Sequence, residues 1–148
     1  MRDLPHEIYS IFGQMKLFSK ADIGKRGEKI AARYLKKKGY RILGRNLHFG
    51  KNELDLVAKN KECLTFVEVK TRTYERAEDA EQYRPSLAVD REKRLRTAQA
   101  AKAYLRAHPT RLCPRLDVIE VYLDRQNRNK PFKINHIEAA FAANGKIH

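Results

Sequence analysis

The chain has 148 residues, 42% of them hydrophobic and 34% charged, with 32 Lys and Arg against 18 Asp and Glu and a formal net charge of +14. That length fits one domain with a core of its own, the charge is too dispersed for a disordered low-complexity chain, and no apolar run approaches the roughly eighteen residues of a membrane span. So positive a balance opposes compaction by self-repulsion unless a polyanion relieves it, which makes nucleic acid the expected partner and an anionic membrane surface a weaker candidate.

Residues 1–21 are expected to form an N-terminal extension. Ile8, Ile11, Phe12 and Met15 recur at helical spacing, as in a short amphipathic helix. Acids among the first ten residues and the lack of a small-residue cleavage site argue against a signal peptide. The clearest helix is predicted over 23–38, with Asp22 as its N-cap. Ile23, Gly27, Ile30, Ala31, Tyr34 and Leu35 repeat at offsets of three and four, and "KKKGY" closes it with lysines at the negative end of the dipole and Gly39 as the C′ residue. Three strands follow at 40–49, 53–59 and 63–71, with turn signals at 49–52 and 60–62. A polar, Pro-containing stretch over 72–88 leads to a second helix with Val89 as its N′ residue and Asp90 as its N-cap, ending before Pro109. Leu95, Ala98, Ala101 and Leu105 make its apolar stripe, with Arg91, Arg94, Arg96, Lys102 and Arg106 around them. A fourth strand is predicted over 115–123, where Asp117 is expected to pair with an arginine at the core edge. Residues 132–141 start as a strand and end in a short helix or tail, and 142–148 form a C-terminal tail. The order α-β-β-β-α-β-β predicts an α/β domain over 22–141 with a mixed central sheet flanked by helices.

Cys63 and Cys113 form no CxxC or Cys/His cluster, so zinc is not expected, and a reducing cytoplasm suits them. Cys63 opens an apolar strand and reads as a small buried hydrophobe.

The charged residues of the two central strands pose the main question. Along 53–59 one face carries Glu53, Asp55 and Val57, and along 63–71 one face carries Leu64, Phe66, Glu68 and Lys70. A hairpin closed at 60–62 sets Asp55 opposite the 67–68 region, so two carboxylates converge. That arrangement is costly unless a cation neutralises it. Hard oxygen ligands beside a lysine suit Mg²⁺ or Mn²⁺. Glu28 lies on the border of the first helix's apolar face, with Ala31 and Leu35, and delivers a third acid toward the same sheet.

The spacing Asp-x₁₂-Glu-x-Lys at 55, 68 and 70 is the signature of the PD-(D/E)XK nucleases. The segments "GEKIAARYLKKKGYRILGRN", "GKNELDLVAK", "LTFVEVKTR", "REKRLRTAQAAKAYL" and "RLDVIEV" resemble the YraN-like family of predicted endonucleases, which are similar to Holliday-junction resolvases. The resemblance covers about residues 22–141. It implies a restriction-endonuclease-like core and a metal held by Asp55, Glu68 and the Val69 carbonyl. It further implies that Lys70 orients the attacking water or offsets transition-state charge, and that Glu28 is a direct or outer-sphere ligand. Leu54 stands where the usual motif has proline. Glu53 is an extra acid of the YraN-like pattern, and Gln99 resembles a glutamine that some nucleases of this class carry on the second helix. The chemistry expected is hydrolysis of phosphodiesters, with structured DNA favoured and RNA left open, and with Thr71, Arg72, Arg91, Lys93 and Arg94 as candidate phosphate contacts. A homodimer is expected by the same analogy. The competing expectations are a non-catalytic nucleic-acid-binding protein that keeps the nuclease fold and a basic accessory of a ribonucleoprotein.

Overall fold

The computed structural model describes residues 19–75, 91–127 and 130–147. The amphipathic segment expected within 1–21, the N-cap expected at Asp90 and most of the 72–88 stretch lie outside these residues.

Helix α1 spans Lys20–Lys37, three residues earlier than the apolar periodicity marks. Its N-cap is Ser19, not Asp22. The Ser19 hydroxyl accepts from the Asp22 N–H at 3.2 Å, and Asp22 Oδ2 accepts from the Ser19 N–H at 3.0 Å. Asp22 is thus the third helical residue of a reciprocal capping box, which satisfies donors that the first turn would otherwise leave unpaired. The helix ends as expected, with Gly39 at a φ of 93° that other residues adopt only at a cost.

The strands are β1 (Arg41–Phe49), β2 (Asn52–Lys59), β3 (Cys63–Tyr74), β4 (Cys113–Asp124) and β5 (Lys133–Ile137), and helix α2 spans Arg91–Ala107 between β3 and β4. They form one sheet in the order β1-β2-β3-β4-β5. Only β3 and β4 are parallel, as a pair joined through a helical crossover must be, and the other neighbours are antiparallel. The element order of the described residues is the expected one. Strand β5 does not run on into a helix: Ala139 takes a φ of 49°, its N–H donates to Asp117 Oδ1 at 3.0 Å, and the Ala140 N–H donates to the Leu116 carbonyl at 2.8 Å. Those bonds hold the backbone in a turn. Residues 142–147 fold back, with a bridge between Phe141 and Ile147.

Two cores sandwich the sheet. Ala31, Ala32 and Leu35 of α1 pack on Leu56, Ala58, Val67, Val69, Ile119, Val121 and Leu123. Ala100, Ala101 and Tyr104 of α2 pack on the other face, against Leu54, Val57, Leu64 and Phe66. Each large side chain buried this way contributes about 1.5–3 kcal/mol, and β3, covered on both faces, anchors the fold. Cys63 and Cys113, fifty positions apart in the chain, are in-register neighbours at the starts of β3 and β4, with both thiols free; Cys63 is half-buried rather than fully so.

Asp117 is the most heavily bonded acid. Arg115 donates to both its oxygens at 2.9 Å, and His136 Nε2 lies 2.8 Å from Oδ2. Arg115 also reaches the Tyr40 hydroxyl at 2.6 Å, so the cluster ties the residue that leads into β1 to β4, β5 and the following turn. Burial alone would push the Asp117 carboxyl up, but His136, Arg115 and the Ala139 N–H hold it below the usual range. This cluster is structural, the role expected for Asp117 from its place on the strand.

Candidate functional site

Strand β2 pairs with β3 only from Leu56↔Val67 to Lys59↔Leu64. Toward its start β2 leaves its partner, and the next residue, Asp55, stands opposite Glu68 one step beyond the last pair. The Val69 N–H faces this gap and would lack a ladder partner. Asp55 Oδ2 accepts it at 2.9 Å, so the side chain replaces the missing strand carbonyl. The N–H and carbonyl of one strand residue face the same neighbour, so the Val69 carbonyl also looks into the opening. Beside this opening β2 also departs from strict alternation. Strict alternation groups Leu54 with Leu56 and Ala58, yet Leu54 packs in the α2-side cluster with Val57, three residues away.

Asp55 and Glu68 are 5% and 1% exposed, which puts two carboxyls side by side in a desolvated place. Burial, and then the charge of Asp55, push Glu68 up from an ordinary 4.5 to about 7. Burial also raises Asp55, against the Val69 N–H and the Lys93 charge, which pull it down. Lys93 of α2 is the cation that faces the pair: its Nζ stands 2.6 Å from Glu68 Oε1. At that distance the ammonium and the carboxylate are in direct contact, and each favours the charged form of the other. Burial works to lower the Lys93 ammonium's affinity for its proton, but Glu68 and Asp55 outweigh it and hold it above the ordinary value.

The other residues singled out from the sequence take distinct places. Lys70 is half-buried, on the Glu68 face of β3 and in register with Glu120 of β4, and its ammonium makes no ion pair among the described residues. Glu28 is half-buried at the border of α1. Burial and then the Asp55 charge raise its carboxyl, while the Asn46 amide works the other way. Its position depends on Gly27: α1 lies so close to β3 that a Cβ there would stand 1.7 Å from Thr71 Oγ1. Thr71 therefore supports the helix that brings Glu28 to the sheet. Glu53 is exposed and lies 3.7 Å from His48 Nδ1. Gln99 accepts from the Asn52 amide at 3.3 Å. Arg72 is half-buried, and its Nε–H donates to no partner among the described residues while shielded from water. Arg91 is exposed. Arg94 donates to the Gly145 carbonyl at 2.7 Å and so fastens α2 to the C-terminal segment. Lys93, read from the sequence as a phosphate contact, is engaged with the acid pair. Only the α1–β3–α2 packing makes that visible, since 25 residues and a long connection separate Lys93 from Glu68.

Among the described residues no three His, Cys, Asp or Glu side chains cluster closely enough to form a metal cage of their own. Mg²⁺ rarely uses such a cage; it takes one or two carboxylates and leaves its other positions to water and substrate phosphate. Two adjoining buried carboxyls and a strand carbonyl facing the same opening fit that donor set, with Lys93 holding Glu68 Oε1 in the absence of an ion.

Comparison with known proteins bears on this geometry. The model of "Uncharacterised protein family UPF0102" matches residues 27–121, a span that runs from Gly27 through Asp55, Glu68, Lys70 and Lys93 into β4. A UPF0102 protein of Caldanaerobacter subterraneus is 42% identical over 128 residues, covering 86% of this chain and 100% of that one. One from Chlorobaculum tepidum is 42% identical over 129 residues, 84% of this chain and 95% of its own. One from Clostridium acetobutylicum is 42% identical over 122 residues, 80% and 92% of the two chains. With a family model matched over most of its length and relatives aligned nearly end to end, the chain belongs to the UPF0102 family.

Proposed function

We propose that the protein is a Mg²⁺- or Mn²⁺-dependent endonuclease of PD-(D/E)XK type, YraN-like in its motifs, that hydrolyses phosphodiester bonds in structured or branched DNA. The observation that carries the reading is the buried Asp55–Glu68 pair at the β2–β3 split, with the Val69 backbone between them and Lys70 on the same face. Asp55, Glu68 and the Val69 carbonyl would hold the ion, which when bound supplies positive charge at the scissile phosphate and acidifies water. Lys70, two residues beyond Glu68, is placed to orient the water or to offset charge that builds on the phosphate oxygens. Glu28 borders the pair and would hold a proton or a water of the outer shell. In the reaction a water oxygen bonds to phosphorus, one phosphorus–sugar oxygen bond breaks, and the departing oxygen takes up a proton. The +14 charge draws the polyanion in, and a homodimer would match the two-fold symmetry of a branched junction.

A second reading is favoured by one contact. Lys93 already neutralises Glu68, as it would in a nucleic-acid binder that keeps the fold without the chemistry. One assay separates the two: labelled linear, flap and four-way DNA and matched RNA, titrated with Mg²⁺ and Mn²⁺. The nuclease reading expects metal-dependent cleavage that Asp55→Ala and Lys70→Ala each reduce by at least about 10²-fold while binding survives. Binding without cleavage under either ion leaves the second reading.

A further inference from the structure

Three of the six cations of α2 are engaged within the fold, and the other three, Arg91, Lys102 and Arg106, are exposed. Lys93 pairs with Glu68, Arg96 lies 2.5 Å from Glu92, and Arg94 donates to the Gly145 carbonyl. Helix α1 differs. Lys25, Lys29, Arg33, Lys36 and Lys37 are all exposed, and among the described residues none of them makes an ion pair. The two acids of this helix are committed elsewhere: Asp22 closes the cap with Ser19, and Glu28 faces the site border.

These five cations occupy one outer arc of about 120°, and Lys25 lies only about 60° around the helix from Glu28. The stripe therefore adjoins the edge of α1 that borders the Asp55–Glu68 pair. From Lys25 to Lys36 it runs about 16 Å, room for several phosphates of one strand. Its chemistry excludes a membrane-inserting helix. The apolar side of α1 is buried on the sheet, and the large exposed apolar residues among those described, Leu43 and Ile147, lie elsewhere.

We propose that the outer stripe of α1 is the surface along which the phosphate backbone of a double-stranded nucleic acid lies when a bond of it reaches the Asp55–Glu68 site. The orientation rests on the nuclease reading; the contact itself does not. The test is fluorescence anisotropy of a short DNA duplex over a series of NaCl concentrations. It compares the full-length protein with the triple variant Lys25→Gln, Lys29→Gln, Arg33→Gln and with Lys102→Gln, Arg106→Gln, Arg111→Gln. Both variants remove the same charge, all six positions are exposed, and glutamine keeps helix propensity. The α1 variant is expected to flatten the plot of log affinity against log salt by about 2 to 3, near 0.9 per lost phosphate contact. It should also bind at least about ten-fold more weakly at 0.1 M salt, while the other variant keeps the wild-type slope. Equal losses in both would reduce the stripe to its share of net charge and overturn the proposal. So would α1-dependent binding to phosphatidylserine–phosphatidylcholine vesicles without binding to the duplex. Duplex binding through α1, with no cleavage of linear, flap or four-way DNA under Mg²⁺ or Mn²⁺, upholds the stripe and removes the nuclease reading. Cleavage with an unchanged slope in the α1 variant does the reverse.

Discussion

Glu68 is the residue where burial and chemistry conflict most. In the fold it keeps its proton up to about pH 7, and in the unfolded chain only to about 4.5. Between those values the folded state binds the extra proton, so the contribution of Glu68 to stability falls as pH rises through that window and is at its worst above it. Glu68→Gln should abolish cleavage and yet make the metal-free protein more stable at pH 8 by about 1–3 kcal/mol, with little gain at pH 4. Urea unfolding at the two pH values measures the difference, and an equal effect at both would show that Glu68 is not the strained group. Lys93 relieves part of this strain. In Lys93→Gln no ammonium competes with a divalent ion for Glu68, so Mn²⁺ should bind about ten-fold more tightly by calorimetry. Weaker binding would instead make Lys93 part of the ion's support.

At the scale of elements, one close approach sets the site. Helix α1 lies against β3 at Gly27 because no Cβ intervenes, and a methyl there would overlap Thr71. Alanine normally favours a helix interior over glycine by about 1 kcal/mol, so Gly27→Ala tests packing against propensity. We expect packing to win, with a loss of about 1–3 kcal/mol. The shift of α1 should carry Glu28 away from the acids and lower cleavage with it. Thr71→Ala in the same chain, which removes Oγ1 and Cγ2, should recover part of both, as thermal melts and the cleavage assay would record. If Gly27→Ala were neutral, the register of α1 on β3 would not be what holds Glu28.

For the whole molecule the formal charge of +14 matters more than any single pair. The described ion pairs on the surface, such as Arg96–Glu92 and Arg125–Glu75, use few of the cations, and surface pairs contribute little in any case. Self-repulsion should therefore dominate, and the melting temperature should rise, by several degrees, between about 0.01 M and 0.3 M NaCl as the screening length shortens. Differential scanning fluorimetry without divalent ions reads this directly. A fall with salt would mean that attractive pairs, not repulsion, govern the surface.

What the sequence alone determined is the order of elements and the positions of the charged residues along them. Period-two and period-three-to-four patterns are local, so β1 to β4 and both helices were legible, as was the hairpin that turns Asp55 toward Glu68. The start of α1 was misread because Ser19 and Asp22 are both good caps and only the reciprocal bonding distinguishes them. Of the short helix or tail expected after β5, the structure has no helix but a turn, because Asp117, far away in the chain, claims the Ala139 N–H. Tertiary structure alone decided where β2 departs from β3 and which cation meets Glu68. It also decided which cations are taken up inside the fold, Lys93 and Arg94 among them. These depend on contacts between residues distant in sequence, and no local pattern encodes which of two distant partners will be buried together.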